Sequence, residues 1–225
     1  MTRAIVLLSG GMDSLVCAAS AAKDCDEINF LHFSYGQRTQ QKELACFEAL
    51  VKHYQPKRAK VVDYHWLSEI GGSALTDSSL LIGAHGTNTN IPNTYVPFRN
   101  ATLLCAAVAW AEVIDADFIY IGAVEEDSSG YPDCREVFFD AFAKTISTGS
   151  EKGAKITIKT PVLHLNKAEI VELGKELKAP FELSWSCYVN NEAACGLCDS
   201  CYLRLKAFAN AGYQDPIPYI KINDR

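Results

Sequence analysis

What the chain lacks narrows it before any motif is read. None of its 225 residues belongs to an apolar run approaching the roughly 20 needed to cross a bilayer, so no membrane partner is expected. The opening stretch, Met1 to Leu8, carries one arginine and a short apolar run that stops at Ser9-Gly10-Gly11. That is well short of a secretory hydrophobic region, so it reads as a first strand and the protein as cytoplasmic. Basic charge is in deficit, with 21 Lys and Arg against 27 Asp and Glu and a formal net charge of −6. No general attraction to nucleic acid is therefore expected, and no stable nucleic-acid partner. Internal repeats and low-complexity tracts are missing too. The histidines His32, His53, His65, His85 and His164 show no spacing suggestive of a ligand set or a triad. What is left is the length of one domain with a small appendage, large enough to bury about 70% of its unfolded surface without covalent staples.

A further absence is more pointed. The segment Ser9-Gly10-Gly11-Met12-Asp13-Ser14 stands between the apolar run Ile5-Val6-Leu7-Leu8 and the helix-like Leu15-Val16-Cys17-Ala18-Ala19. A phosphate-binding loop of the Walker type would need Lys-Ser/Thr after its last glycine, where this loop has Met12-Asp13-Ser14. That argues against kinase or NTPase chemistry. The loop still reads as an anion cradle, because glycines let backbone N–H groups approach a ligand, Ser9 and Ser14 add hydroxyl donors, and the next helix contributes its positive end. Pyrophosphate is its natural guest. ATP-binding residues are thus expected over Leu8, Ser9, Gly10, Gly11, Met12, Asp13, Ser14 and Leu15, with Asp13 and Ser14 catalytic. Asp13 would be a poor phosphate neighbour unless Mg lies between the charges, so Mg is expected with ATP. The plain alternative is a glycine turn that merely links strand to helix.

Further along, Ile28 to Phe33 looks like a strand, 38–53 fits a helix, Ala59 to Val62 a strand, 98–114 a buried helix and Phe118 to Ile121 a strand ending at Gly122. This βαβαβ order predicts an α/β fold with a parallel, Rossmann-like sheet and ligands at the carboxyl ends of the strands. The Gly-, Ser-, Thr- and Asn-rich stretch 71–93 is a candidate lid or a surface loop. A later helix is expected to start at Asn166, with Glu169 completing a capping box. The residues divide into an expected nucleotide-binding unit, 1–180, and a small C-terminal helical segment, 181–225.

That segment holds four of the nine cysteines, Cys187, Cys195, Cys198 and Cys201. Two CxxC units sharing a cysteine beside charged residues do not resemble a core, and four thiolates satisfy a tetrahedral zinc ion with no position left for water. One structural zinc per chain is expected, with an iron–sulfur cluster as the rival. Asp199 could cap the helix that follows. Cys17, Cys25, Cys46, Cys105 and Cys134 read mostly as small buried hydrophobes.

The SGGMDS loop resembles that of the PP-loop ATP pyrophosphatases, which transfer AMP to a substrate oxygen and release pyrophosphate. Together with the C-x7-C-x2-C-x2-C cluster, Tyr95-Val96-Pro97-Phe98-Arg99-Asn100 and Glu126-Asp127-Ser128-Ser129-Gly130-Tyr131-Pro132-Asp133-Cys134-Arg135, it makes nearly the whole chain similar to the 7-cyano-7-deazaguanine synthase family. The resemblance implies an adenine nucleotide alpha hydrolase-like fold. It also implies an ATP-dependent ligase that makes a nitrile from 7-carboxy-7-deazaguanine and ammonia, within queuosine biosynthesis. Free ammonia is the implied donor, since no room remains for a glutaminase domain beside the nucleotide unit. The sequence leaves a homodimer open.

On the residues themselves, Arg99 near a helix start could balance phosphate charge and count as catalytic, and Asn100 could orient a substrate. Asp127, Ser128, Tyr131, Asp133 and Arg135 follow a strand end. There carboxylates could read a guanine-like amino edge and Arg135 a substrate carboxylate. Lys167, in the first turn of its helix, either reaches phosphate or lies exposed. Two other readings stay open: a PP-loop enzyme that adenylates a base in tRNA, with Cys134 as sulfur carrier, and a nucleotide sensor without turnover.

Overall fold

The computed structural model describes residues 1–82, 91–125, 130–151 and 155–220. Five parallel strands form one sheet in the order β3-β2-β1-β4-β5, with β1 Arg3–Leu7, β2 Glu27–Ser34, β3 Arg58–Asp63, β4 Phe118–Ile121 and β5 Thr157–Lys159. β1 lies at the centre and pairs with β2 on one side and β4 on the other. Both its faces are covered, which is why it reads as an unbroken apolar run rather than an alternating one. Alternate residues still part to opposite faces. Ala4, Val6 and Leu8 join a core with helices α1 Met12–Asp24, α2 Gln40–Tyr54 and α6 Lys167–Glu176. Ile5 and Leu7 join a second core with α4 Arg99–Ile114 and α5 Glu136–Gly149.

The strand order reverses between β1 and β4, and a crevice opens at such a switch point beyond the carboxyl ends of the strands. Here the backbones approach closely. A Cβ on Gly122, just after β4, would stand 2.7 Å from the backbone nitrogen of Ser14, so only glycine lets that strand exit pass the start of α1.

The expected βαβαβ core is present with its boundaries moved by a residue or two, as at β1, which runs Arg3–Leu7. Asn166 caps α6 through its side chain, with both halves of the capping box formed. Helix α7 Asp199–Asn210 packs against α6 through Ala207 and Phe208. Its N-cap position is held by Cys198, so Asp199 is the first helical residue and not the cap. Two α-helices and one strand were not anticipated, the short α3 Trp66–Glu69, α5 and β5, nor were the 3-10 turns Pro132–Cys134 and Phe181–Leu183. Part of the candidate lid, 83–90, lies outside the described residues. Its two flanks are fastened together, Ala74 donating to the Asn93 carbonyl at 2.7 Å and the Asn93 amide to the Leu81 carbonyl at 2.9 Å. Among the described residues, no helix is long and apolar enough to cross a membrane.

Candidate active site

The loop after β1 is stiffened by its own side chains. Ser14 Oγ donates to the Gly11 carbonyl at 3.0 Å, lies 3.0 Å from Ser9 Oγ and accepts from the Ser9 N–H at 3.2 Å. The Gly11 N–H donates to Ser9 Oγ at 3.2 Å. Gly10 sits at φ +88, where a Cβ would be strained and would meet the Glu43 carbonyl at 2.8 Å. The turn therefore requires glycine at this position.

Asp13, in the first turn of α1, faces the first residue of α6, with Lys167 Nζ 2.8 Å from its Oδ2. Lys167 is thus drawn onto the loop; its side chain is only 17% exposed. The other oxygen, Asp13 Oδ1, is buried without a hydrogen-bond partner.

Arg99 opens α4 behind Phe98, a non-glycine residue at φ 55. Its guanidinium donates to Tyr35 Oη at 3.0 Å. Burial opposes the charge, but Tyr35, Tyr131, Cys134 and Asp133 outweigh that and hold Arg99 above its ordinary pKa. A half-buried, permanent cation is well suited to anion chemistry.

Asp133 and Asn100 are tied to each other by hydrogen bonds. The Asp133 carboxylate accepts the Asn100 backbone N–H at 2.9 Å, so it caps α4 from 33 residues away. The Asn100 amide donates back to the Asp133 carbonyl at 3.0 Å and to Cys134 Sγ at 3.3 Å. Burial pushes the Asp133 carboxyl above its usual range and the Cys134 thiol up to about 11.

These groups surround a cavity of about 1080 Å³. Of the residues singled out in the sequence, Leu8, Ser9, Gly11, Met12, Asp13, Ser14, Arg99, Asn100, Tyr131 and Lys167 line it. Tyr131 is held there by Thr94, with oxygens 2.8 Å apart. Gly10, Leu15 and Asp133 do not line it, and Arg135 lies exposed with Nε donating to the Pro132 carbonyl at 3.3 Å. Asp127 and Ser128 lie outside the described residues. The sequence reading passed over Tyr35, Gln37, Glu43, Trp185 and Tyr188, which also line the cavity. No local motif marks them; they arrive from the connection after β2, from α2 and from the thiol segment.

The four cysteines converge as expected. The sulfurs of Cys187, Cys195, Cys198 and Cys201 lie within 4.8 Å of one another, able to hold a metal ion. Cys195 and Cys201 are 3.8 Å apart, matching the edge of a tetrahedron with metal–sulfur bonds of about 2.3 Å. Backbone N–H groups already point at these sulfurs, Asn190 to Cys187 at 3.3 Å and Cys198 to Cys195 at 3.4 Å. Such donors favour thiolates, and Cys187 is held well below the ordinary thiol range by Cys198 and Cys201 and by the N–H groups of Cys195 and Asn190. This centre adjoins the same cavity, since Cys187, Tyr188, Asp199 and Ser200 are among its lining residues.

A parallel Rossmann-like sheet, a glycine loop at its switch point and a four-thiol centre beside it define a nucleotide-site α/β protein of the PP-loop kind. Residues 3–212 match the family described as Queuosine biosynthesis protein QueC, and the chain belongs to that family. It is 55% identical over 218 residues to the 7-cyano-7-deazaguanine synthase of Chlorobaculum tepidum, covering 96% of each chain. The 7-cyano-7-deazaguanine synthase of Chlorobium phaeobacteroides is likewise 55% identical over 218 residues, again with 96% of each covered.

Proposed function

We infer that this chain makes 7-cyano-7-deazaguanine from 7-carboxy-7-deazaguanine and ammonia, at the expense of ATP, in queuosine biosynthesis. Family membership over residues 3–212 supports the reaction, and the single observation that ties it to this site is the lysine-free glycine loop at the head of the cavity.

A carboxylate is a poor electrophile because hydroxide is a bad leaving group. Attack of its oxygen on the α-phosphorus of ATP releases pyrophosphate and leaves an acyl adenylate. Ammonia adds to that carbonyl, the C–O bond to AMP breaks, and loss of a proton gives the amide. The amide oxygen then attacks a second ATP, again releasing pyrophosphate, and loss of AMP and protons from the adenylated amide leaves the nitrile. Each oxygen of the acid departs on an AMP, so one cradle serves twice.

The backbone N–H groups of 9–14, with Ser9 and Ser14, hold the departing pyrophosphate. Arg99 and Lys167 balance charge that develops on the phosphate. Tyr131 and Asn100 line the far wall, where the deazaguanine sits, and Asp127, Ser128 and Arg135 keep the substrate-recognition role that their sequence suggests. Asp13 would hold Mg, a role that its buried, unpartnered oxygen beside the loop supports, and such an ion would neutralise the triphosphate. The sulfur spacing suits zinc, which would be structural with all four positions filled by thiolates. The remaining parts of the reading are a cytoplasmic location, free ammonia as donor, a division at residue 180 and assembly as a homodimer.

Product analysis tests the chemistry. With ATP, ammonia and 7-carboxy-7-deazaguanine, the nucleotide product is AMP and the inorganic product pyrophosphate; ADP and phosphate would overturn the mechanism.

A further inference from the structure

The Gly10–Gly11 peptide is tied inside the loop only through its N–H, which donates to Ser9 Oγ at 3.2 Å. Glycine on both sides gives it a range of backbone angles open to no other residue pair, yet a cradle works only while its shape is kept. The structure restrains this peptide from outside the loop, because the N–H of Trp185 donates to the Gly10 carbonyl at 2.8 Å. The carbonyl and N–H of one peptide point oppositely across a rigid plane. Holding the Gly10 carbonyl therefore also aims the Gly11 N–H.

Trp185 belongs to segment 181–186, whose regular structure is a single 3-10 turn, Phe181–Leu183. A strap of this kind has no ladder of its own to fix it, and Arg204 of α7 serves in place of one. The guanidinium, 1% exposed, grips the strap on both sides of Trp185. Nη1 donates to Ser184 Oγ at 2.9 Å and Ser186 Oγ at 3.3 Å, and Nη2 to the Phe181 carbonyl at 3.2 Å. Its other edge is clamped by Asp215, Nε to Oδ2 at 2.7 Å and Nη2 to Oδ1 at 3.0 Å. Asp215 in turn accepts from Tyr219 Oη at 2.7 Å.

We propose that Arg204, paired with Asp215, is a positioning residue for the nucleotide loop: it holds the 181–186 strap so that Trp185 fixes the Gly10–Gly11 peptide, carbonyl on the strap and N–H on Ser9 Oγ, and with it the shape of the cradle. Lysine cannot substitute, since a single ammonium cannot span Ser184, Ser186, the Phe181 carbonyl and both oxygens of Asp215.

The inference rests on the loop being the ATP site, and ATP binding separates the two. Calorimetric titration of the full, metal-loaded chain with ATP is compared among wild type, Arg204→Lys and Asp215→Asn, with metal content and melting recorded for each. In Arg204→Lys the Kd for ATP rises by about tenfold, and in Asp215→Asn by less, the loss of roughly one well-placed hydrogen bond in aim. Metal content stays at the wild-type value, and turnover at saturating ATP falls less than affinity does. An Arg204→Lys chain that is folded and binds ATP as wild type does overturns the proposal. Should that variant fail to fold, Tyr219→Phe, which removes one donor from Asp215 and leaves Arg204 whole, raises the Kd by about twofold; an unchanged Kd there overturns it equally. A wild-type chain that binds no ATP overturns the functional reading itself, and this inference with it.

Discussion

The nucleotide loop and the thiol segment line one cavity but are held in place by different means. The loop is strung between a central strand, buried from Ala4 to Leu7, and a helix whose Leu15, Val16 and Ala18 are wholly inside, so regular structure fixes it at both ends. Between Ser184 and α7 the thiol segment has no helix or strand of its own; Trp185 ties its start to the loop, Ala194 bridges to Tyr219, and the four converging sulfurs set the shape of the rest. Shape set by backbone regularity survives the loss of a side chain, and chemistry is what suffers. Shape set by a side-chain cluster goes when one member goes.

Removing a thiol therefore has the largest effect. Cys198→Ala loses the metal and, because metal affinity at such a site is folding free energy, loses on the order of several kcal/mol of stability with it. Metal analysis and thermal melting check this together, and unchanged melting would contradict it. In the loop the matching substitution separates the two properties. Asp13→Ala lowers turnover by at least about a hundredfold through loss of its place beside the triphosphate. Its melting curve stays near wild type, and a large drop in Tm would erase the contrast drawn here.

Gly10→Ala comes next, and acts on conformation alone. The new methyl group has to occupy φ +88 and meet the Glu43 carbonyl at 2.8 Å, a strain of roughly 1–3 kcal/mol. The loop is the part that yields, so ATP affinity falls more than stability, as titration with ATP alongside melting would reveal.

The smallest effect belongs to His32, buried under the loop with Nδ1 2.9 Å from the Leu8 carbonyl. Burial lowers its pKa below the ordinary 6.5. The unfolded chain then takes up a proton that the folded chain refuses, so this residue costs stability as pH falls below about 6.5 and nothing above it. His32→Gln should melt with a shallower dependence on pH between about 7.5 and 5.5 than wild type, and an equal slope would remove His32 from the account.

The same contrast decides how much could be read in advance. Loop, thiol cluster and the Asn166 cap were legible because conformation and chemistry reside in contiguous residues with distinctive spacing. α5 was not, since only Phe139 and Ile146 of it are buried and Val137 stands 68% exposed, which blurs any apolar stripe. β5 is three residues, Thr157-Ile158-Lys159, at a sheet edge with no apolar run to announce it. That the Asp133 carboxylate caps α4 was not legible either, because the pairing spans 33 residues. Lys167 meets Asp13 across 154 residues, and Trp185 and Arg204 act on the loop from the other end of the chain; such pairings become visible only once the fold closes the cavity.

The central claim is that a single loop activates both oxygens of the acid. The most direct measurement is the ratio of AMP to nitrile formed from 7-carboxy-7-deazaguanine under excess ammonia, with a parallel assay started from the amide without ammonia. The account predicts two AMP per nitrile from the acid and one from the amide. A ratio of one from the acid, or an amide that is never converted, would contradict it.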